Sequence, residues 1–525
     1  MKKYFLALVL LGITLPSISQ FYNYATGPVF PYPVSGVGKM ISVKDGGIMF
    51  LQINTDSFIN VQYYEPKYHA LTQQKITLPF FPMKNAKIEN VFAFNGDALL
   101  FLSSHVPDSS LLYMISISGQ SGKLNKAEII RNIHHTQKAK SSNDEMVYPQ
   151  FIVRHSEKGD AYAVGTVNPG KFDGLPVLQV SVFDTLGNEL KRPYKSELPE
   201  KFNNLSPVDI VVISPDQAVL LSYGYTVEQN IKDGDVIMAM VEKAKPDMRI
   251  SQLAISPDFV LQHAVARYDS LFKKIFLLAF SNRQSNSNKL VSEFVRIDVP
   301  TLKFDNDSIL GFNEITTAKL KQLTGEEAPE FVPVDFFLKG ITNFLVIYQQ
   351  LIPGSPNDTS VHSKINHTVF AEYDDSYNMV KSYIVPSQID IKTTLVNPFY
   401  LHEMEMKGVP FNIENQYRTG KFLTDNHSYY WVQNDASGNF MSTDGSKLSA
   451  YKNNRDAAAF YVALAGEGLI PRKQFVSGNE ADYKNGNHLL IPGIGYFDKL
   501  NGTWVTLQEE ANNENPGLKL VWLQP

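Results

Sequence analysis

Four stretches of the chain place a short Gly- or Asp-containing turn directly before an unbroken apolar run. They are "VKDGGIMFLQI" from Val43, "FNGDALLFLSS" from Phe94, "EKGDAYAVGTV" from Glu157 and "SPDQAVLLSYGY" from Ser214. Looser versions follow at "KKIFLLAF" from Lys273, "ITNFLVIYQQ" from Ile341 and "HSYYWVQN" from His427. The seven turns fall near residues 46, 96, 159, 216, 269, 340 and 426, at intervals of 50 to 86 residues. Within the runs, polar and apolar positions do not alternate. A half-solvated strand alternates, whereas one covered on both faces is apolar throughout.

Weaker strand signals surround each run. In the third unit "QFIVRH" precedes the turn, "AYAVGTV" follows it, and "LPVLQVSVFD" and "ELKRPY" complete a set of four. The fourth unit repeats this with "VDIVVI", "AVLLSYGY", "DVIMAMVE" and "RISQLAI". Gly, Asn and Asp in the connections supply the positive φ that tight hairpins require. Repeats of this length with strands buried on both faces point to an array of sheets wedged against one another.

On these residues the chain resembles an all-β, about seven-bladed β-propeller of four-stranded antiparallel sheets with minor helical insertions. No blade carries a WD or kelch signature. "DKLNGTW" from Asp498 ends like an Asp box, but its Asp is misplaced. The expected division is a signal peptide at 1–19, six blades at 20–386, and a seventh, elaborated blade or small C-terminal domain at 387–525. Two helices are expected, in "ITTAKLKQLTGEEAP" before Gly325 and in "NNRDAAAFYVALAGEG" before Gly466. The final "GLKLVWLQP" sets Leu518, Leu520 and Trp522 against Lys519 and Val521, as a closing strand does.

The connections separate two ends of such a ring. Turns between third and fourth strands are tight ("SGQSGK", "DTLGNE", "DVPTLK", "YDDSYN"). Connections between second and third strands are long and polar: "NPGKFDGLP", "GYTVEQNIKDGD", "SNRQSNSNK" and "QQLIPGSPNDTSVHSKINH". Long loops on a rigid scaffold carry binding more often than tight turns do. The face shared by these loops and the blade-to-blade connections is therefore the expected working surface.

Lys2 and Lys3, the apolar "YFLALVLLGITL", Pro16, and the small residues Ser17 and Ser19 before Gln20 read as a secretory signal cleaved between Ser19 and Gln20. The apolar stretch is shorter than a membrane span, which needs about 20 residues, and none of that length follows. The expected location is periplasmic or extracellular. The chain's formal charge is −5, more negative once the two lysines are removed, with no basic stripe to neutralise phosphates, so nucleic acid is not an expected partner. It contains no cysteine, which excludes disulfides, thiolate metal sites, a cysteine nucleophile and a cysteine-linked lipid.

Catalytic signatures are missing: there is no G-x-S-x-G, no phosphate-binding G-x-x-x-x-G-K-[ST], and "LHEMEM" at His402 lacks the second His of H-E-x-x-H. His134–His135 reads as a surface pair, "DNDS" at Asp305 lacks the rest of a calcium loop, Asp374–Asp375 reads as a turn, and "YYW" at Tyr429 as core. No metal or cofactor is expected. Polar residues on candidate inner strands remain. Arg154, His155 and Arg267 are the candidate binding residues; Asp209, Asp335 and His263 are the positions to inspect for catalysis, since glycoside cleavage needs two carboxylates. The leading expectation is a secreted scaffold that binds a ligand or an unidentified protein or glycan partner through its long-loop face. The alternatives are a hydrolase or lyase acting on extracellular glycans and a structural part of an envelope assembly.

Overall fold

The computed structural model describes residues 21–524 except for 66–69, 84–85, 135–147, 170–175, 190–193, 199–201, 203, 229–230, 255–258, 284–285, 340–342, 355–361, 393–395, 412–414, 425–427, 441, 443–446, 477–488, 500 and 511–516. The expected signal segment, His135, the turns near 340 and 426, and parts of the long connections lie outside the described residues.

Eight antiparallel sheets follow one another as the blades of a β-propeller. The first six use consecutive strands, from Val37–Ser42 at the start of blade 1 to Met379–Ile391 at the end of blade 6. Blade 7 runs from Lys421–Thr424 to Lys473–Phe475. Blade 8 takes Leu490–Asp498, Thr503–Glu510 and Gly517–Gln524 from the C-terminal end, and Tyr22–Thr26 from the start of the chain as its outermost strand. Tyr22 pairs with Gln524 and Thr26 with Val521, so the two ends of the described chain close the ring by hydrogen bonds.

The expectation of about seven blades is thus close to the eight present. The sequence turns near 46, 96, 159, 216 and 269 are first-to-second-strand turns of blades 1–5, and in blade 8 Gly502 holds φ +60° between the first two strands. Residues 421–524 carry two sheets where the sequence suggested one elaborated unit. The second strands are covered on both faces as expected: Ile48–Ile53, Ala98–Ser104 and Tyr162–Val167 are buried without a break. Their side chains join clusters that bridge neighbouring blades, as where Phe92 and Phe101 of blade 2 pack on Tyr162 of blade 3.

Helix α1 (Glu314–Thr324) lies where expected, capped by the Asn313 side chain and stopped by left-handed Gly325, with Leu320 buried. The second expected helix is instead strand Ala457–Ala463, the third strand of blade 7. Its residues 457–462 are all buried, and burial on both faces overrides alanine's helix preference. A helix not anticipated, α2 (Tyr400–Lys407), belongs to the 392–420 connection between blades 6 and 7. Two of the supposed long loops are extended hairpins: Gln217–Glu228 pairs with Ile231–Glu242, and Lys274–Arg283 with Asn286–Asp298.

The last strand is not an edge. It lies between Thr503–Glu510 and Tyr22–Thr26, and Leu518, Leu520, Val521, Trp522 and Leu523 are all buried, Val521 included. Each such side chain contributes about 1.5–3 kcal/mol against a total stability of about 5–15 kcal/mol. Deleting residues 517–525 should therefore leave a chain with no cooperative thermal transition; a soluble truncation with unchanged Tm would contradict this closure.

Candidate functional site

The first strand of every blade faces the axis, and residues 398–411 run into the channel they enclose. Helix α2 packs against the inner strands Lys87–Phe94 of blade 2, Val332–Lys339 of blade 6 and Leu490–Asp498 of blade 8. After it, Val409 and Pro410 pair with Gly38 and Val37 of blade 1. This approach depends on glycine: a Cβ on Gly38 would lie 2.7 Å from the Phe411 ring, and Gly408 turns at φ +94° with the Gly38 carbonyl 2.5 Å from its missing Cβ.

Between α2 and blades 2–5 lies a cavity of about 340 Å³. Its wall uses the early part of each inner strand: Lys87 and Glu89, Gln150–Ile152 and Arg154, Ser206–Asp209, and Leu261–Val265. Inner strands start at the blade-to-blade connections, so the cavity lies toward the long-loop end. Pro398, Phe399, His402, Glu403, Met406 and Lys407 supply the wall on the helix side, and His105 and Tyr223 complete it.

Of the six candidate residues, the cavity collects three: Arg154, Asp209 and His263. Asp335 lines a smaller recess behind α2 with Glu405 and Lys421, and Arg267 is bonded to it. His155 lies at the opposite end of its strand, where Nδ1 is 2.7 Å from the Ser156 carbonyl and the ring meets Phe92.

The two aspartates serve the ring. Asn90, Asp209 and Asp335 each follow a register break in an inner strand, and a bulge re-aims the side chain that follows it. Each accepts a hydrogen bond from the next residue's amide, at 2.8–2.9 Å. Asn90 donates to the Val153 carbonyl of blade 3, and Arg154 of blade 3 meets Asp209 of blade 4 at 2.9 Å. The second Asp209 oxygen accepts from the Ala266 amide of blade 5, and neighbouring Arg267 reaches Asp335 of blade 6 at 2.8 Å. A belt of directed bonds thus joins blades 2 to 6 at the channel wall. Both carboxylates are committed to it.

Sequence reasoning passed over the other ionisable groups of the channel. Burial raises the pKa of Glu89 above its ordinary value; the Ser103 hydroxyl and the charges of Lys407, Lys87 and Arg154 oppose this without reversing it. Burial also lowers the pKa of His263, partly offset by Glu403, and so keeps it neutral near pH 7. Behind α2, Lys421 leads the effects that hold Glu405 down to about 2, against burial and with help from Arg267, Lys39 and His402. Lys39 falls to about 8 through burial and repulsion from Lys421, with Glu405 opposing; its ammonium donates to the Glu405 carbonyl. The Glu405 side chain is 49% exposed within the channel, so water screens part of this attraction. Among the described residues no group of three His, Asp or Glu is placed to hold a metal.

No protein-family model and no curated protein matches the chain. Solved structures give distant likenesses. A protein from Lactobacillus plantarum is similar over 66% of this chain and 84% of its own, at 10% identity and TM-score 0.35. Synechocystis apocarotenoid oxygenase, as a Glu150Gln mutant, is similar over 69% and 72%, at 10% identity and TM-score 0.32. A polysaccharide lyase, an ulvan lyase bound to a GlcA(1-4)Rha3S saccharide, is similar over 59% and 75%, at 10% identity and TM-score 0.36. At such scores these likenesses assign no activity to this chain.

Two outcomes follow from the belt and the channel charges. Asp335→Ala leaves Arg267 uncompensated and should cost about 3–5 kcal/mol in urea unfolding, with part regained in Asp335→Ala/Arg267→Met; an additive double mutant would show that the pair does not couple. Glu405 has a folded pKa below its unfolded value of 4.5, so its contribution is full above pH 4.5 and lost as pH falls toward 2. Glu405→Gln should therefore flatten the acid limb of the stability profile in that window, and an unchanged limb would refute the assignment.

Proposed function

We propose that this protein is an exported binding propeller that holds a small polar ligand in the axial cavity, entered from its long-loop face. The observation that carries the reading is the cavity itself. At about 340 Å³ it falls within the range of small-molecule sites, about 300–1,000 Å³. Its wall offers amide, imidazole, carboxyl and ammonium groups from Gln150, Gln262, His263, Glu89 and Lys87. Phe151 and Phe399 add apolar surface, and such a mixture suits recognition of a polar ligand. The commitment of Asp209 and Asp335 to arginines favours binding over catalysis by that pair.

A glycan-cleaving enzyme is the second reading. It draws on Glu89, whose burial favours the protonated form that a general acid needs. Under that reading Glu403, on α2, is the remaining cavity carboxylate outside the belt.

Gln150 stands exposed at the start of its strand and lines the cavity. Gln150→Trp should abolish ligand binding detected by a thermal-shift screen of polar metabolites and oligosaccharides while leaving the ligand-free Tm within about 2 °C. Hits that bind the variant as tightly would remove the ligand from the cavity. A glycan hydrolysis screen in which Glu89→Gln destroys turnover would replace the binding reading with the enzymatic one.

A further inference from the structure

We infer that the ligand of the axial cavity is an uncharged saccharide, held through its hydroxyls by a wall whose charges are already answered within the protein; this rests on the cavity being a binding site. Each lysine or arginine that lines the cavity has a carboxylate beside it. Arg154 Nε lies 2.9 Å from Asp209, and Lys407 lies 3.5 Å from Glu403. Lys87 stands opposite Ser103 in the ladder, and the Ser103 hydroxyl donates to Glu89, so this lysine and this carboxylate share one patch of wall. Cations matched one for one by carboxylates leave no lobe of a single sign for a charged ligand to complement.

The same wall keeps much of its hydrogen-bonding capacity open. Arg154 commits Nε to Asp209 and Nη1 to the Val153 carbonyl of its own strand, and Nη2 has no partner among the described residues. Lys87, Gln150 and His263 are exposed where they line the cavity, and their side chains make no hydrogen bond among the described residues. The Lys407 and Glu403 side chains are 38% and 48% exposed, so their contact leaves further donors and acceptors free. Glu89 has a second oxygen beyond the Ser103 bond. That oxygen accepts when the group is ionised and donates when it is protonated, and either form bonds a hydroxyl.

A wall with matched charge and open donors and acceptors suits a ligand rich in groups that do both. A hydroxyl donates once and accepts twice, and a sugar ring sets several side by side. One hydroxyl accepts from Lys87 or Arg154 while its neighbour donates to Glu89 or Glu403. A planar base fits less well, because Phe151, Tyr223 and Phe399 are only 4%, 3% and 2% exposed and offer little face for stacking. A zwitterion would compete for counter-charges that the wall has already paired.

The test titrates the full chain calorimetrically with glucose, galactose, mannose, N-acetylglucosamine and the trisaccharides maltotriose and chitotriose. Glucuronate, glucosamine, glycine betaine and adenosine serve as competitors of other classes. At least one neutral sugar should bind at least about tenfold tighter than all four, with a Kd that changes less than about twofold between about 0.05 and 0.5 M salt. A bound monosaccharide supports a free sugar as the ligand, and a trisaccharide that binds as well supports the end of a glycan. Glu403→Gln leaves Lys407 unmatched and should improve glucuronate relative to the neutral sugar by about fivefold; an unchanged ratio would overturn this account of the wall. Preference of the unmutated protein for glucuronate, glucosamine, betaine or adenosine would overturn the saccharide inference and leave the cavity reading intact. No sugar bound in the millimolar range would overturn it too, and hits of another class in the thermal-shift screen would then keep the cavity reading. Neutral-sugar binding that survives Gln150→Trp would instead remove the ligand from the cavity and end both.

Discussion

No blade of this protein can bury its own second and third strands; each relies on the sheets on either side. A strand such as Ile48–Asn54 is apolar on both faces, and four strands have no second layer to cover either face. Closure of the ring supplies that layer to every blade at once. It also makes the pairing of Tyr22–Thr26 with Gly517–Gln524 a condition for the whole: opening that seam exposes faces of blades 8 and 1 together. The Tyr64–Trp522 edge contact across that boundary shows how directly the seam is tied to the blade 1 core.

Apolar wedging holds sheets together but fixes neither their register nor their tilt. Directed bonds near the axis do so. Asn90, Asp209 and Asp335 each stand at a bulge, bond the next amide in their own strand, and tie their blade to another element. A buried Lys473–Asp435 pair in blade 7, whose lysine also donates to the Pro386 carbonyl of blade 6, continues the same logic farther round the ring. The channel is therefore polar for two separable reasons. One set of charges orients blades and is internally satisfied. The other, including Glu89, His263 and His402, has no such structural duty and lines the space that α2 leaves open.

That separation explains what was legible in the sequence. Repeated turns followed by greasy runs revealed seven blades because local hairpin chemistry and burial on both faces leave a local trace. The eighth escaped because its inner strand, Leu490–Asp498, is broken by a register shift between Ile491 and Gly495 and contains Pro492. The run "AAAFYVA" reads as helix from its possible cap and its Gly466 stop, and its burial between neighbours in blade 7 made it a strand instead. Helix α2 was harder still. Eight residues long, with Phe399 at its cap and no capping side chain, it is held by packing across the channel rather than by local signals. Polar inner-strand positions such as Asp209 and Asp335 were visible, but their partners Arg154 and Arg267 lie on preceding blades, and no spacing rule discloses such pairs.

Helix α2 is therefore where local preference and tertiary demand disagree most. Its entry residue is a bulky aromatic in the left-handed region, its first turn has no side-chain cap, and neither ring nitrogen of buried His402 makes a hydrogen bond. Each feature costs free energy, and the surrounding ring is rigid enough to impose all of them. Phe399 is buried within the main hydrophobic cluster, so packing of its ring offsets the left-handed backbone at the helix entry. The ring thus sets where this helix ends, and Phe399, His402 and Glu403 at that end line the cavity against blades 2–5.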